Sequence, residues 1–173
     1  AAQDRARVEA ALLAREAELA GSTGTATARL WISVADVRAT RLGDTDGALK
    51  ALELARSADP SSPAVLAALR RLAIRMWRWP LAADVLAAER RLLTGPERST
   101  RTMELAEIQA DRLGRADEAL VLFNEVLEGD PGNARALARA IPMWTAAAAW
   151  TEMTQALEAA AESNLALDAR RAS

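Results

Sequence analysis

The sequence predicts an all-α protein, an α-solenoid of antiparallel helix pairs with about nine helices. Three observations predict it. The chain repeats itself at a spacing of 71 residues: Leu42-Gly43 returns as Leu113-Gly114, Ala48-Leu49 as Ala119-Leu120, Asp59-Pro60 as Asp130-Pro131, and Trp79 as Trp150. Such self-similarity marks a chain that stacks one supersecondary unit, each copy burying its apolar face on the next. Apolar residues recur at helical spacing throughout, and no run of alternating β-branched residues reads as a strand. Finally, 51% of the 173 residues are hydrophobic, much of that alanine, while aromatics are 3% (five Trp, one Phe, no Tyr). A core of that composition needs helices that approach closely on small side chains.

The elements follow in order. A first helix is expected over 3–20, with Val8, Ala11, Leu12 and Leu13 on its apolar stripe, then a turn at Gly21-Ser22-Thr23-Gly24. Eight more helices are expected over 25–41, 45–58, 63–76, 80–93, 100–112, 116–128, 134–145 and 150–162, with a frayed tail over 163–173. Gly43 and Gly114 sit just past a helix end, where a left-handed backbone closes the last turn without a Cβ penalty. Ser62 is placed to cap the helix that Pro63 opens, and Asn133 is the matching cap 71 residues later. Thr94-Gly95-Pro96 breaks the chain between the two halves. Pro142 should remove a hydrogen bond and kink or shorten its helix.

Each 71-residue unit divides into helix pairs of 34 and 37 residues, the extra three falling in the 94–99 loop. Gly114, Ala119, Phe123, Val126 and Pro131 follow the second-helix spacing of the tetratricopeptide repeat, and Gly43, Ala48, Leu52, Ala55 and Pro60 repeat it. Ala82 and Leu86, then Met153, Leu157 and Ala160, keep a weaker version. Trp79 and Trp150 stand where that family often has an aromatic just before the second helix, and Trp144 occupies the first-helix aromatic position. The chain thus resembles the tetratricopeptide-repeat family over about 29–162. The small Gly of the first helix is missing from every copy, and Trp77 and Ala148 replace the turn Gly in repeats two and four. These departures alternate, which makes the double repeat the working unit. The resemblance implies a right-handed solenoid: a leading partial repeat over 1–24, four repeats over 25–162 (about 29–62, 63–99, 100–133 and 134–162), and a tail over 163–173. Leu165 to Arg171 looks like the opening of another unit, and the first helix like a second helix without its partner, so the chain reads as part of a longer array.

Ala48, Ala55, Ala82, Ala106, Ala119 and Ala160 are expected where helix axes approach closely, with Leu52, Leu86, Phe123 and Leu157 as the large side chains between repeats. Trp79, Trp144 and Trp150 are expected to fill core.

Function is bounded first by what is missing. The chain has no Cys and no His, which removes thiolate nucleophiles, disulfides, Cys/His metal sites and imidazole bases. No phosphate loop or nucleophile elbow is present. No catalytic, cofactor or metal site is expected, and the protein is read as not an enzyme. A net charge of -2 argues against a nucleic-acid partner. No apolar run approaches the roughly 20 residues of a membrane span. The chain reads as soluble; the sequence does not identify its compartment, and a cytoplasmic setting is only slightly favoured.

The resemblance implies a protein-interaction scaffold or adaptor, a segment of a larger bacterial-type protein that holds a protein or peptide partner in a concave groove lined by first helices. Arg41, Arg75 and Arg112 recur at one repeat position near the first-helix end, and Arg71, Arg101, Arg135 and Arg139 lie nearby. Guanidinium groups along a groove suit carboxylates, which makes an acidic partner the sharp expectation. The plainer alternative pairs them with Glu104, Asp111 and neighbouring acids of the chain. Glu104, Glu107 and Asp111 are read as a solvated face. Val34, Val37, Ala68 and Leu105 are placed in the groove, where the family's carboxylate-clamp members carry Asn. Trp77, at a helix end in place of a turn glycine, is a candidate contact residue. Two other readings remain: a recognition arm of an enzyme whose catalytic domain lies elsewhere, and a structural element that self-associates through its uncapped ends.

Overall fold

Residues 2–172 are described in a computed structural model, excepting the side chains of 167, 168, 171 and 172. Among them the chain forms nine helices and no strand. It divides into two units, Ala1–Leu92 and Leu93–Ser173. The first holds α1 (Ala2–Leu19), α2 (Thr25–Thr40), α3 (Thr45–Ala58), α4 (Pro63–Arg75) and α5 (Trp79–Leu92). The second holds α6 (Gly95–Asp111), α7 (Ala116–Gly129), α8 (Ala134–Ala146) and α9 (Trp150–Ala172). Within each unit, helices adjacent in sequence pack on one another.

Small side chains set this packing. Ala48, Ala55, Ala82, Ala106 and Ala119 are fully buried and Ala160 nearly so, at the positions expected for close approach. Val65, Leu66, Leu69 and Leu72 of α4 then interlock with Ala48, Leu49, Leu52 and Ala55 of α3 in the core of the first unit. In the second unit Phe123 and Trp144 are its largest fully buried side chains. Two expected core members are not buried. Leu157 is 41% exposed because α9 packs on α8 and turns this face outward. Trp150 is 54% exposed. Its counterpart Trp79 is half-buried, edge-on to Trp77 with ring centroids 5.6 Å apart. The second unit has Ala148 at the place of Trp77, so Trp150 has no such ring to lean on.

The first helix buries a different stripe from the one its large residues indicate. Ala6, Ala10 and Ala17 face inward, with Ala6 and Ala10 against Val37, while Val8 and Leu12 are 59% and 61% exposed. The inward set recurs at helical spacing, and alanine lets the α1 and α2 axes close up where Val and Leu would hold them apart.

The turns explain the alternation of repeats. After α4, the N–H groups of Trp77 and Arg78 donate to the carbonyls of Ile74 and Ala73 at 3.1 and 2.9 Å. After α8, those of Ala148 and Ala149 donate to Thr145 and Trp144 at 3.2 and 2.9 Å. Both are Schellman closures, which put the residue past the cap in the left-handed region; Trp77 and Ala148 have φ of 58° and 52°. After α2 and α6 the turn is longer, and Gly43 and Gly114 take the positive φ, 66° and 67°.

Helix ends differ from expectation in five places. Ser62 stands at the N-cap of α4 but its side chain caps nothing, whereas Asn133 accepts from the Ala136 N–H at 3.0 Å. Asp44, not singled out in the sequence, caps α3 by accepting from the Gly47 N–H at 2.8 Å. The expected loop over 94–99 is instead the opening of α6, because Pro96 sits in its first turn, where the missing N–H is no loss. Helix α8 runs through Pro142 and, at 13 residues, matches α4 in length. The segment 163–173, expected as a frayed tail or a new repeat, continues α9 to Ala172, since 161–172 contains neither Gly nor Pro. Ser173 lies outside the described residues.

Candidate functional site

In the first unit, α2 and α4 stand side by side over α3 and leave a cleft of about 190 Å³. Alanines make it: Ala35 and Ala39 on one wall, Ala68 on the other, and Ala48 with Leu52 below. Charge lines its mouth. Arg71 and Arg75 project from successive turns of α4, about 6 Å apart along the axis by helical rise. Asp36 and Thr40 stand one turn apart on α2 opposite them. Neither Arg71 nor Arg75 has a hydrogen bond or ion pair among the described residues. Two guanidinium groups over an apolar floor can each take a carboxylate in two-pronged fashion while side chains of the bound segment settle between the helices.

The 71-residue repeat supplies an internal comparison. Arg71 and Arg75 correspond to Pro142 and Ala146, Asp36 and Thr40 to Glu107 and Asp111, and Ala64 and Ala68 to Arg135 and Arg139. In the second unit the charges cancel locally. Arg135 grips Glu107 through two bonds of 2.7 Å. Arg139 pairs with Asp111 and lies over the Phe123 ring, 5.9 Å from its centre. Arg101 pairs with Glu104 at 2.9 Å. The acidic run on α6 is therefore a row of arginine partners rather than a merely solvated face.

The other expected site residues separate. Arg41, at the C-cap of α2, pairs with Glu9 of α1. Arg112 caps α6 and is exposed in the second unit. Arg75 is the last residue of α4 rather than its cap, because the turn after α4 is one residue shorter than that after α2. Trp77 sits on the α4–α5 turn and is 69% exposed. Val34, Val37 and Leu105 are buried core, not groove lining; only Ala68 of that set reaches the cleft. Asp36 and Thr40 escaped notice in the sequence, although their spacing of four places them on one face.

Among the described residues, no group of three or more acidic, His or Cys side chains is gathered to hold a metal ion, and no helix is long and apolar enough to cross a membrane.

Paired helices, close alanine contacts and left-handed inter-helix turns together define a tetratricopeptide-repeat-like fold. Solved structures agree. MamA, a tetratricopeptide-repeat protein, matches in one crystal structure at 16% identity, with 82% of this chain and 80% of that chain covered and a TM-score of 0.54. MamA AMB-1 matches at 17% identity over 92% and 90% of the two chains, with a TM-score of 0.56. MamA MSR-1 matches at 18% identity over 98% of each, with a TM-score of 0.51. At these identities the likeness is one of fold. No protein-family model matches the sequence, and no curated protein sequence matches it.

Proposed function

We propose that this chain is a non-catalytic protein-interaction scaffold or adaptor, and that the α2–α4 cleft receives an acidic segment of a partner protein. The observation that carries this reading is the contrast between the units. Where the second unit matches each cleft-side arginine with its own carboxylate, the first leaves Arg71 and Arg75 unmatched beside an alanine-lined slot. An arginine pair kept free of internal partners is available for a carboxylate from outside, and the apolar floor excludes water from the contact. Asp36, on the facing wall, suits backbone N–H groups of an extended segment. The helical-repeat fold supports the same reading, since its solvent-facing helix pairs serve as platforms for other chains.

Affinity capture with the protein as bait tests it. Arg71→Ala/Arg75→Ala should remove the partners that wild type retains, while Arg135→Ala/Arg139→Ala should keep them. Identical partner sets for wild type and the first variant contradict the reading.

A further inference from the structure

The segment from Pro60 to Ala83 holds no acidic residue and four arginines, in a chain of net charge -2. It contains Arg75-Met76-Trp77-Arg78-Trp79, which wraps the α4–α5 turn. One of those arginines, Arg70, is turned inward on Glu89 at 2.8 Å, and Arg78 lies 3.8 Å from Asp46. Arg71 and Arg75 face the cleft, and Trp77 follows Arg75 by two residues.

Trp77 is an unusual occupant of its place. The Schellman closure demands a left-handed backbone, which disfavours any side chain, and Trp77 holds it at φ 58°. Its counterpart Ala148 accepts the same conformation with the smallest possible side chain. The large indole gains little from burial, since it remains 69% exposed. Trp79 meets it at an interplanar angle of 83°, so the exposed ring is steadied rather than covered. A bulky aromatic that occupies a glycine position and stays largely in solvent offers a flat apolar face to a partner.

We propose that the bound segment carries a large apolar side chain beside its acidic residues, and that Trp77 stacks on that side chain while Arg71 and Arg75 hold the acids. This rests on the acidic-segment reading above and adds the residue type next to the acids. The two arginines at the cleft mouth favour an acidic peptide as the occupant, and the ring, two residues beyond Arg75, supplies a flat apolar face.

Selection from a displayed library of random dodecapeptides tests it with the full chain, using wild type, Trp77→Gly and Arg71→Ala/Arg75→Ala as baits. Wild type should enrich Asp and Glu together with one aromatic or aliphatic residue at a fixed offset. Trp77→Gly should keep the acids and lose the apolar position, and should bind a wild-type-selected peptide about tenfold more weakly, the scale of an interface tryptophan. Its melting temperature should not fall, since glycine suits the turn; a fall would assign Trp77 a structural role and overturn the proposal. An apolar position absent from the wild-type selection, or retained by Trp77→Gly, overturns the proposal and leaves the acidic reading standing. No acidic enrichment by wild type removes both. Binding of wild type to phosphatidylserine vesicles that Trp77→Gly abolishes would assign the indole to a membrane and overturn it.

Discussion

Replacing Phe123 with Ala should lower the stability of the second unit by about 3–5 kcal/mol, the usual cost of truncating a buried aromatic. Phe123 is fully buried on α7, at the large apolar position between Ala119 and Val126, themselves buried. Deleting the ring leaves a cavity among residues that cannot all collapse into it. It also removes the face over which the Arg139 guanidinium lies, so the Arg139–Asp111 pair loses its support from below. Phe123→Leu, which keeps most of the volume, should cost less. Urea melts of both variants check the pair. A Phe123→Ala protein with wild-type stability would mean that α7 does not pack as described.

The second large effect lies in the first unit. Glu89 is buried on α5, and its Oε2 lies 2.8 Å from Nε of Arg70 on α4, whose side chain is also largely covered. Removing one member of such a pair strands the other charge away from water, at about 3–5 kcal/mol. Glu89→Ala should therefore destabilise by that amount. The chain itself indicates the remedy: at the same repeat positions the second unit carries Ile141 and Ala160. Arg70→Ile/Glu89→Ala should recover most of the loss, because an apolar pair of suitable volume has no charge to desolvate. Denaturation of the single and double variants decides it; a double variant as unstable as Glu89→Ala alone would show that the pair is not the reason for the loss.

The repeat positions carried most of the fold in plain view. A spacing of 71, with small residues held at fixed places, located the buried alanines, the positive-φ glycines and the substitutions at Trp77 and Ala148. Two things misled. Residue size made Val8 and Leu12 look like the inward face of α1, and repeat position alone placed Val34, Val37 and Leu105 in the groove. Where helix axes approach closely the small residue goes inward, and a large apolar residue is pushed either to solvent or to the layer beneath the groove. Helix ends were legible only where a side chain truly caps, as at Asn133; whether Ser62 rotates onto a free N–H is decided by local geometry that the sequence does not encode.

The candidate site was half legible. Arg71 and Arg75 were visible as groove cations, but their freedom from internal partners depends on what the neighbouring helix offers. The cleft-side pairs of the second unit both join residues 28 apart, Arg135 with Glu107 and Arg139 with Asp111. The same step from Asp36 and Thr40 reaches Ala64 and Ala68, which leaves the arginines one turn further on without a match. That register could have been counted from the sequence once the side-chain pairing between α6 and α8 was known, and not before.

Photo-crosslinking from the cleft itself most directly tests whether it holds another protein. A benzophenone amino acid placed at Ala68, on the cleft wall, should join the protein to a partner in the cell, and added Arg71→Ala/Arg75→Ala should abolish the product. The same group at Leu54, 47% exposed on α3 and outside the cleft lining, should give none. A partner captured from position 54 and not from position 68 would contradict the account.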